Sequence, residues 1–475
     1  MILKNPEEYG ISSQRLLKMV QDMDASIEDM HTIGVICDND VILLKCKEPY
    51  TEESRQMMHS FAKSMNSLAV GIAINQGRLH LEDKIVDYLG EYLPEKYDKR
   101  IEELTVRNLL TMAASSCRLS TYFRGIEESW IRHYFTFELP HDPGTYFQYD
   151  TGASYILSSL VTKTMGKTTL EVLNEYVFGP MGIQDVDWLV SPEGNTVGGW
   201  GLYLNTPDMA KIGILLANFG KYNGRQLVPK KYLEEAGSKQ IQTPIEADNP
   251  YGYGYQFWIG PEESFCVFGA FGQCIIVNAQ KKIAVIVTAG ASDAAGNPNR
   301  KISAIANEEL IIPTERKPLP ENTEAFAKLK EYLEELKLPY AQGESKRAEK
   351  EKQFLGKRYV LEDNEAQIKA MRFDRRASDL LEIAFELSDK EITAVAGYKR
   401  WINQELVFDD VLHHSHSFSY AFENEDTLII KQYLLNTSAF DQYVIHFGED
   451  HMKGVLTTSV KLGGSKPIIL NGACK

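Results

Sequence analysis

The amino-acid sequence predicts an α/β protein of the α+β kind: an antiparallel sheet flanked by helices, with a helical subdomain, followed by a small antiparallel β domain. Three observations carry this expectation. Two β-rich hairpin patterns stand far apart in the chain, roughly two hundred residues of helical periodicity lie between them, and period-two alternation returns after a charged joint near the end.

The opening element is an amphipathic helix from Ser13 to about Ala25. HTIGVICDNDVILLKC then reads as two strands around the turn Asp38-Asn39-Asp40. Helical spacing dominates Leu104 to Met112, Ala153 to Met165, Leu170 to Val177 and Pro207 to Phe219. FCVFGAFGQCIIVNAQKKIAVIVTAG supplies the second strand pair, split by the polar turn Asn278 to Lys282, and KISAIANEELIIP closes the unit as a helix. A sheet made from the early and late parts of the chain, with helices inserted between them, follows. From Thr314 to about Lys352 the composition changes to a proline-containing joint and a charged helix. Domains are therefore expected at 1–313 and 353–475, joined by a linker at 314–352. In the last of these, LLEIAFEL, FSYAF and QYVIHF alternate apolar and polar residues, and Glu423-Asn424-Glu425-Asp426 separates two strands.

With 475 residues the chain exceeds what one core organises, and 43% hydrophobic residues suffice for real cores. The formal net charge of −15 repels phosphate backbones, so nucleic acid is not expected as a partner and a small molecule is. MILKNPEEYG has no signal-peptide pattern and no long apolar run appears anywhere, which predicts a cytoplasmic protein without membrane attachment. Six scattered cysteines form no Cys-x-x-Cys pair, so neither a zinc site nor a redox motif is expected.

The chemistry centres on HSFAKSMNSLAVGIAINQGRLHLEDKIVDYL, where Ser60 and Lys63 stand three apart at the start of a helix-like run rich in small residues. Residues at that spacing share a helix face, so the amine can take the hydroxyl's proton if burial lowers its pKa. The helix N-terminus adds free N–H groups suited to an oxyanion. Ser-x-x-Lys occurs once in the chain, although a two-position pattern also arises by chance. Gly77 is the expected C-cap. PGTYFQYDTGASYILSSLV offers Tyr149 and Tyr146 as a second proton carrier just before a helix. In a chain with 24 tyrosines, position alone favours a packing role for Tyr149.

These segments, together with NPEEYGIS, LTVRNLLTM, FGPMGI, GGWGLYLNTPDMAKIG and GAFGQCIIV in that order around them, resemble the serine β-lactamase and penicillin-binding-protein superfamily. Within it the resemblance is to the class C-like branch of esterases, D-amino-acid peptidases and nylon-oligomer amidases, and it covers most of residues 1 to 312. It implies that Ser60 is the acylated nucleophile, that Lys63 and Tyr149 move protons jointly, and that the backbone N–H groups of Ser60 and Ala270 form the oxyanion hole. Thr151, Phe268 and Gly269 are the implied substrate contacts, and Trp200 in Gly198-Gly199-Trp200-Gly201 is read either as a substrate wall or as packing at the loop base. No metal and no cofactor is implied.

Two departures bear on substrate. Tyr149-Asp150-Thr151 carries threonine where many relatives carry asparagine, so Thr151 either substitutes for the amide or packs. Val267-Phe268-Gly269 is apolar where a cation and a hydroxyl usually precede the glycine, which disfavours β-lactams and favours an ester, or less strongly a neutral amide. A β-lactamase, D,D-peptidase or D-amino-acid amidase is the enzyme alternative; a catalytically silent ligand-binding protein is the alternative from another class. His59 is expected to be structural, since on a helix it points about 100° from Ser60. Arg107 and Arg118 are read as surface ion-pair residues. His413, His414 and His416 in VLHHSHSF have strand spacing but no acidic or cysteine partner nearby, so no metal is assigned to them. For the C-terminal domain, covering the cleft, homo-dimerisation and stabilisation all remain open roles.

Overall fold

The two hairpins do meet. In the computed structural model, which describes every residue except 115–125, 127, 185, 245–248, 293, 295, 409–413, 463 and 475, strands β2 (Met30–Cys37) and β3 (Asp40–Cys46) turn at Asp38, whose φ is 55°. Strands β5 (Phe265–Gly269), β6 (Gln273–Asn278) and β7 (Ile283–Ala289) form the late group. β7 pairs antiparallel with β2, from Ile283 opposite Cys37 to Ala289 opposite Met30. With β1 (Ile2–Leu3) and β4 (Trp258–Ile259) at the edges, the described residues give a seven-stranded sheet in the order β1-β3-β2-β7-β6-β5-β4.

Every residue of β2 and β7 is buried, because helices cover both faces. On one face Ile36, Leu44, Ile275 and Ile286 pack with helices α2 (Ala62–Asn75), α3 (Thr151–Met165) and α4 (Thr206–Ala217). On the other, Ile33, Val35, Ile276 and Val285 meet α1 (Ser13–Ser26), α5 (Pro298–Ile305) and α6 (Thr323–Glu335). The charged helix expected in the linker is α6. Its Leu329 and Leu333 are fully buried in this second layer, while its Lys and Glu residues stay outside.

α2 runs through the middle of the helical layer and is buried from Ala62 to Ala73. Small residues make this feasible: a Cβ on Gly71 would lie 2.4 Å from the Tyr232 ring. The helix ends at Gln76, with Gly77 just beyond it at φ 65°.

Among the described residues, ten strands follow α6: β8 (Arg358–Leu361), β9 (Ala370–Ala377), β10 (Leu380–Glu386), β11 (Glu391–Tyr398), β12 (Ile402–Glu405), β13 (Ser415–Phe422), β14 (Thr427–Leu434), β15 (Phe440–Phe447), β16 (His451–Thr458) and β17 (Ile468–Cys474). Their order, β11-β10-β9-β8-β17-β16-β15-β14-β13-β12, closes into a barrel where Gly397 and Tyr398 pair in parallel with Ser419 and Tyr420. At this seam the Gln404 amide stands in for a strand. Its Oε1 accepts from the Val395 N–H at 3.0 Å and its Nε2 donates to the Val395 carbonyl at 2.8 Å. The closed sheet satisfies its edges and fills its interior with Phe373, Phe385, Phe418 and Phe447. The barrel docks through Tyr50, Leu338, Tyr433 and Leu435, flanked by Trp401 and Phe440. Tyr433 also donates a hydrogen bond to Asp29, which holds the ring nitrogen of buried His31 at 3.2 Å.

Candidate active site

Ser60 lies not within α2 but in a single 3-10 turn, His59–Phe61, that runs straight into it. His59, directly before Ser60, adopts a left-handed backbone with φ 50°. Lys63, in the first turn of α2, is 1% exposed and donates to Ser60 Oγ at 3.1 Å and to the Gly199 carbonyl at 2.8 Å. Burial pulls its amine down to about 7, against the opposing pull of Asp150. A buried ammonium loses several kcal/mol of hydration, more than one carbonyl and one hydroxyl restore, so the free amine becomes accessible near neutral pH.

Tyr149 precedes α3, which starts where the Asp150 side chain caps it: Oδ1 accepts from the Gly152 N–H at 2.7 Å. The Lys63 Nζ lies 4.9 Å from the centre of the Tyr149 ring. Burial holds the Tyr149 phenol well above its ordinary pKa, an effect that the nearby Ser60 hydroxyl opposes. Tyr149 is thus protonated at neutral pH. Asp150, 1% exposed, has its carboxyl pushed up to about 7 by burial, although two amides, the Tyr134 hydroxyl and Lys63 all favour the anion.

The opposite wall is the β5–β6 hairpin. A Cβ on Gly269 would sit 2.1 Å from the Met58 carbonyl, so only glycine lets this strand reach the turn that carries Ser60. Ala270 follows at the start of the hairpin turn. Phe268 is half-buried, and its ring stands 6.4 Å from Trp258, which stacks on Tyr149 at 5.6 Å. Val267 is fully buried on the helical side of the sheet.

The structure brings Ser60, Lys63 and Tyr149 together with Gly269 and Ala270 alongside. Thr151 is placed differently from a cleft-surface residue. It is 4% exposed, and a Cβ on Gly199 would fall 2.6 Å from its methyl, so it underlies the loop whose carbonyl holds Lys63. Trp200 is half-buried against the helical core, with its carbonyl held by Trp188 Nε1 at 2.9 Å. Arg107 pairs with Glu82 and donates to the Tyr255 hydroxyl at 2.7 Å. Arg118 and His413 lie outside the described residues. His416 is buried, 3.0 Å from the Gln432 amide, rather than on an exposed strand face. Among the described residues no cluster of three His, Cys, Asp or Glu is placed to hold a metal ion, and no helix is long and apolar enough to cross a membrane.

Sequence reasoning missed the Gly199 carbonyl, Asp150 as a buried carboxyl, and Trp258. Trp258 stood in plain view in the aromatic run YGYGYQFWIG, but nothing local says which of those rings faces the cleft.

The profile of the beta-lactamase family matches residues 28–307, well over half the chain and all of the elements that build this site. The chain belongs to the beta-lactamase family. It is 22% identical over 291 residues to the 6-aminohexanoate-dimer hydrolase of Paenarthrobacter ureafaciens, covering 56% of this chain and 73% of that one. A Dichelobacter nodosus protein named for fimbrial assembly, FimD of serogroup D, is 30% identical over 137 residues, which is 27% of this chain; the match spans about a third (34%) of that relative's length. Among solved structures, EstCE1, a hydrolase with promiscuous acyltransferase activity, superposes with a TM-score of 0.51 at 17% identity, covering 62% of this chain and 98% of that one. The beta-lactamase fold is thereby shown.

Proposed function

We propose that the protein is a serine hydrolase that works through an acyl-enzyme on a small ester. The observation that carries this reading is the buried Lys63 amine, 3.1 Å from the Ser60 hydroxyl and held near neutrality by its surroundings. Ser60 Oγ attacks the carbonyl carbon while its proton passes to Lys63. The N–H groups of Ser60 and Ala270 receive the oxyanion, and Tyr149, protonated at neutral pH, delivers a proton to the departing oxygen. Water then attacks the acyl carbon by the reverse proton path and releases the acid. Between Lys63 and Tyr149, the amine is the better first acceptor, because the phenolate form of Tyr149 is disfavoured by burial.

The substrate class follows from the wall opposite Ser60. Trp258 stacks on Tyr149, Phe268 stands beyond Trp258 against the α1 and α5 layer, and the segment Val267-Phe268-Gly269 supplies no cation for a carboxylate. An apolar acyl or aryl group fits such a stack; the carboxylate of a β-lactam would be left without a partner there. Steady-state turnover of p-nitrophenyl butyrate and of nitrocefin tests the preference. The ester is expected to be hydrolysed with a far higher kcat/KM, in wild type but not in Ser60→Ala. Turnover of nitrocefin at the same efficiency would sink the ester assignment in favour of a β-lactamase.

A further inference from the structure

A turn of the barrel, Leu435 to Ala439 between β14 and β15, reaches the site just described. Asn436 holds the segment leading to Ser60: its carbonyl accepts from the Met57 N–H at 3.0 Å, and its Nδ2 donates to the Arg55 carbonyl at 3.0 Å. Ser438, 2% exposed, places its Oγ 3.3 Å from His59 Nε2 and accepts from Gln273 Nε2 at 3.0 Å. Gln273 is fully buried, lies opposite Gly269 in the β5–β6 register, and also donates to the Ala289 and Ala270 carbonyls. The turn is wedged in tightly, since a Cβ on Gly290 would meet the Ser438 carbonyl at 2.1 Å.

These contacts converge on two strained positions. His59, directly before Ser60, and Phe271, directly after Ala270, are both non-glycine residues with left-handed backbone, φ 50° and 67°. Their rings meet edge to face at 5.2 Å. Such backbone is held only where surrounding contacts over-determine it. Ser438 touches one of these two segments directly and the other through Gln273, from a part of the chain 379 residues away from His59.

We infer that the barrel turn Leu435 to Ala439 is a positioning element of the acylation site: Ser438, acting through His59 and Gln273, fixes the spacing between the Ser60 and Ala270 amides. This rests on the hydrolase reading for its consequence, though not for its geometry. Two amides serve an oxyanion only at a defined separation, and a small misplacement costs rate more than ground-state binding.

The test uses the full chain. Ser438→Ala is expected to lower kcat for a p-nitrophenyl ester about ten- to a hundredfold at nearly unchanged KM. Asn436→Ala, which loosens the same turn at Arg55, moves kcat in the same direction should the first variant fold poorly. A second readout needs no turnover: in protein labelled with 15N at serine and alanine, Ser438→Ala shifts the amide resonances of Ser60 and Ala270. Resonances that stay in place, or a kcat at the wild-type level, overturn the inference. A wild type that hydrolyses no ester sinks the hydrolase reading instead, and the resonances then decide the positioning role by themselves.

Discussion

At the scale of single residues, the site turns on protonation. Lys63 can accept a proton only as the free amine, so kcat/KM should fall as the pH drops below about 7, with one acidic limb at that value. Asp150 pulls the Lys63 pKa upward, so Asp150→Asn, which keeps the helix cap, should move the limb to lower pH; a limb that stays fixed or rises would show the two groups to be uncoupled. Tyr149→Phe should reduce kcat about 10²–10⁴-fold while preserving the Trp258 stack, as expected for the loss of a proton carrier. The sequence made Ser60 and Lys63 legible because their relation is local, three residues along one helix start. It could not reveal the cause of the amine's low pKa, which is burial beneath Gly199, 136 residues downstream.

At the scale of elements, the Gly198-Gly199 loop, the N-terminus of α3 and the β5–β6 hairpin enclose the nucleophile. Gly199→Ala would drive a methyl into Thr151, displace the carbonyl that holds Lys63 and reduce activity sharply, readable as a fall in kcat with secondary structure intact. Thr151→Val, nearly the same shape, should stay within a few-fold of wild type if Thr151 supports that loop; a large loss would restore it as a substrate contact. β-rich, β-branched runs and polar turn residues made β2, β3, β6 and β7 readable, since those strands obey local rules. The 3-10 turn at His59–Phe61 was not readable: it depends on a left-handed histidine that contacts from Phe271 and Ser438 hold in place. Likewise, alternation announced antiparallel strands after residue 353 but not a closed barrel. Closure depends on a parallel pairing of Tyr398 with Tyr420 and on the Gln404 amide bridging the seam.

At the scale of the whole molecule, the barrel and the seven-stranded sheet share buried surface. Tyr433 is fully buried, packs on Tyr50 and bonds to Asp29. Tyr433→Ala should therefore cost about 3–5 kcal/mol, as for other large buried aromatics, and lower the melting temperature of the full chain; an unchanged transition would mean the barrel is attached without being integrated. The central claim, that this framework exists to make Ser60 a nucleophile, is tested most directly with a fluorophosphonate probe, intact-mass measurement and peptide mapping. The account predicts one adduct per chain, on Ser60, formed faster above pH 7 than below and absent in Ser60→Ala. A folded wild-type protein that takes up no probe, or takes it up on another serine, would contradict it.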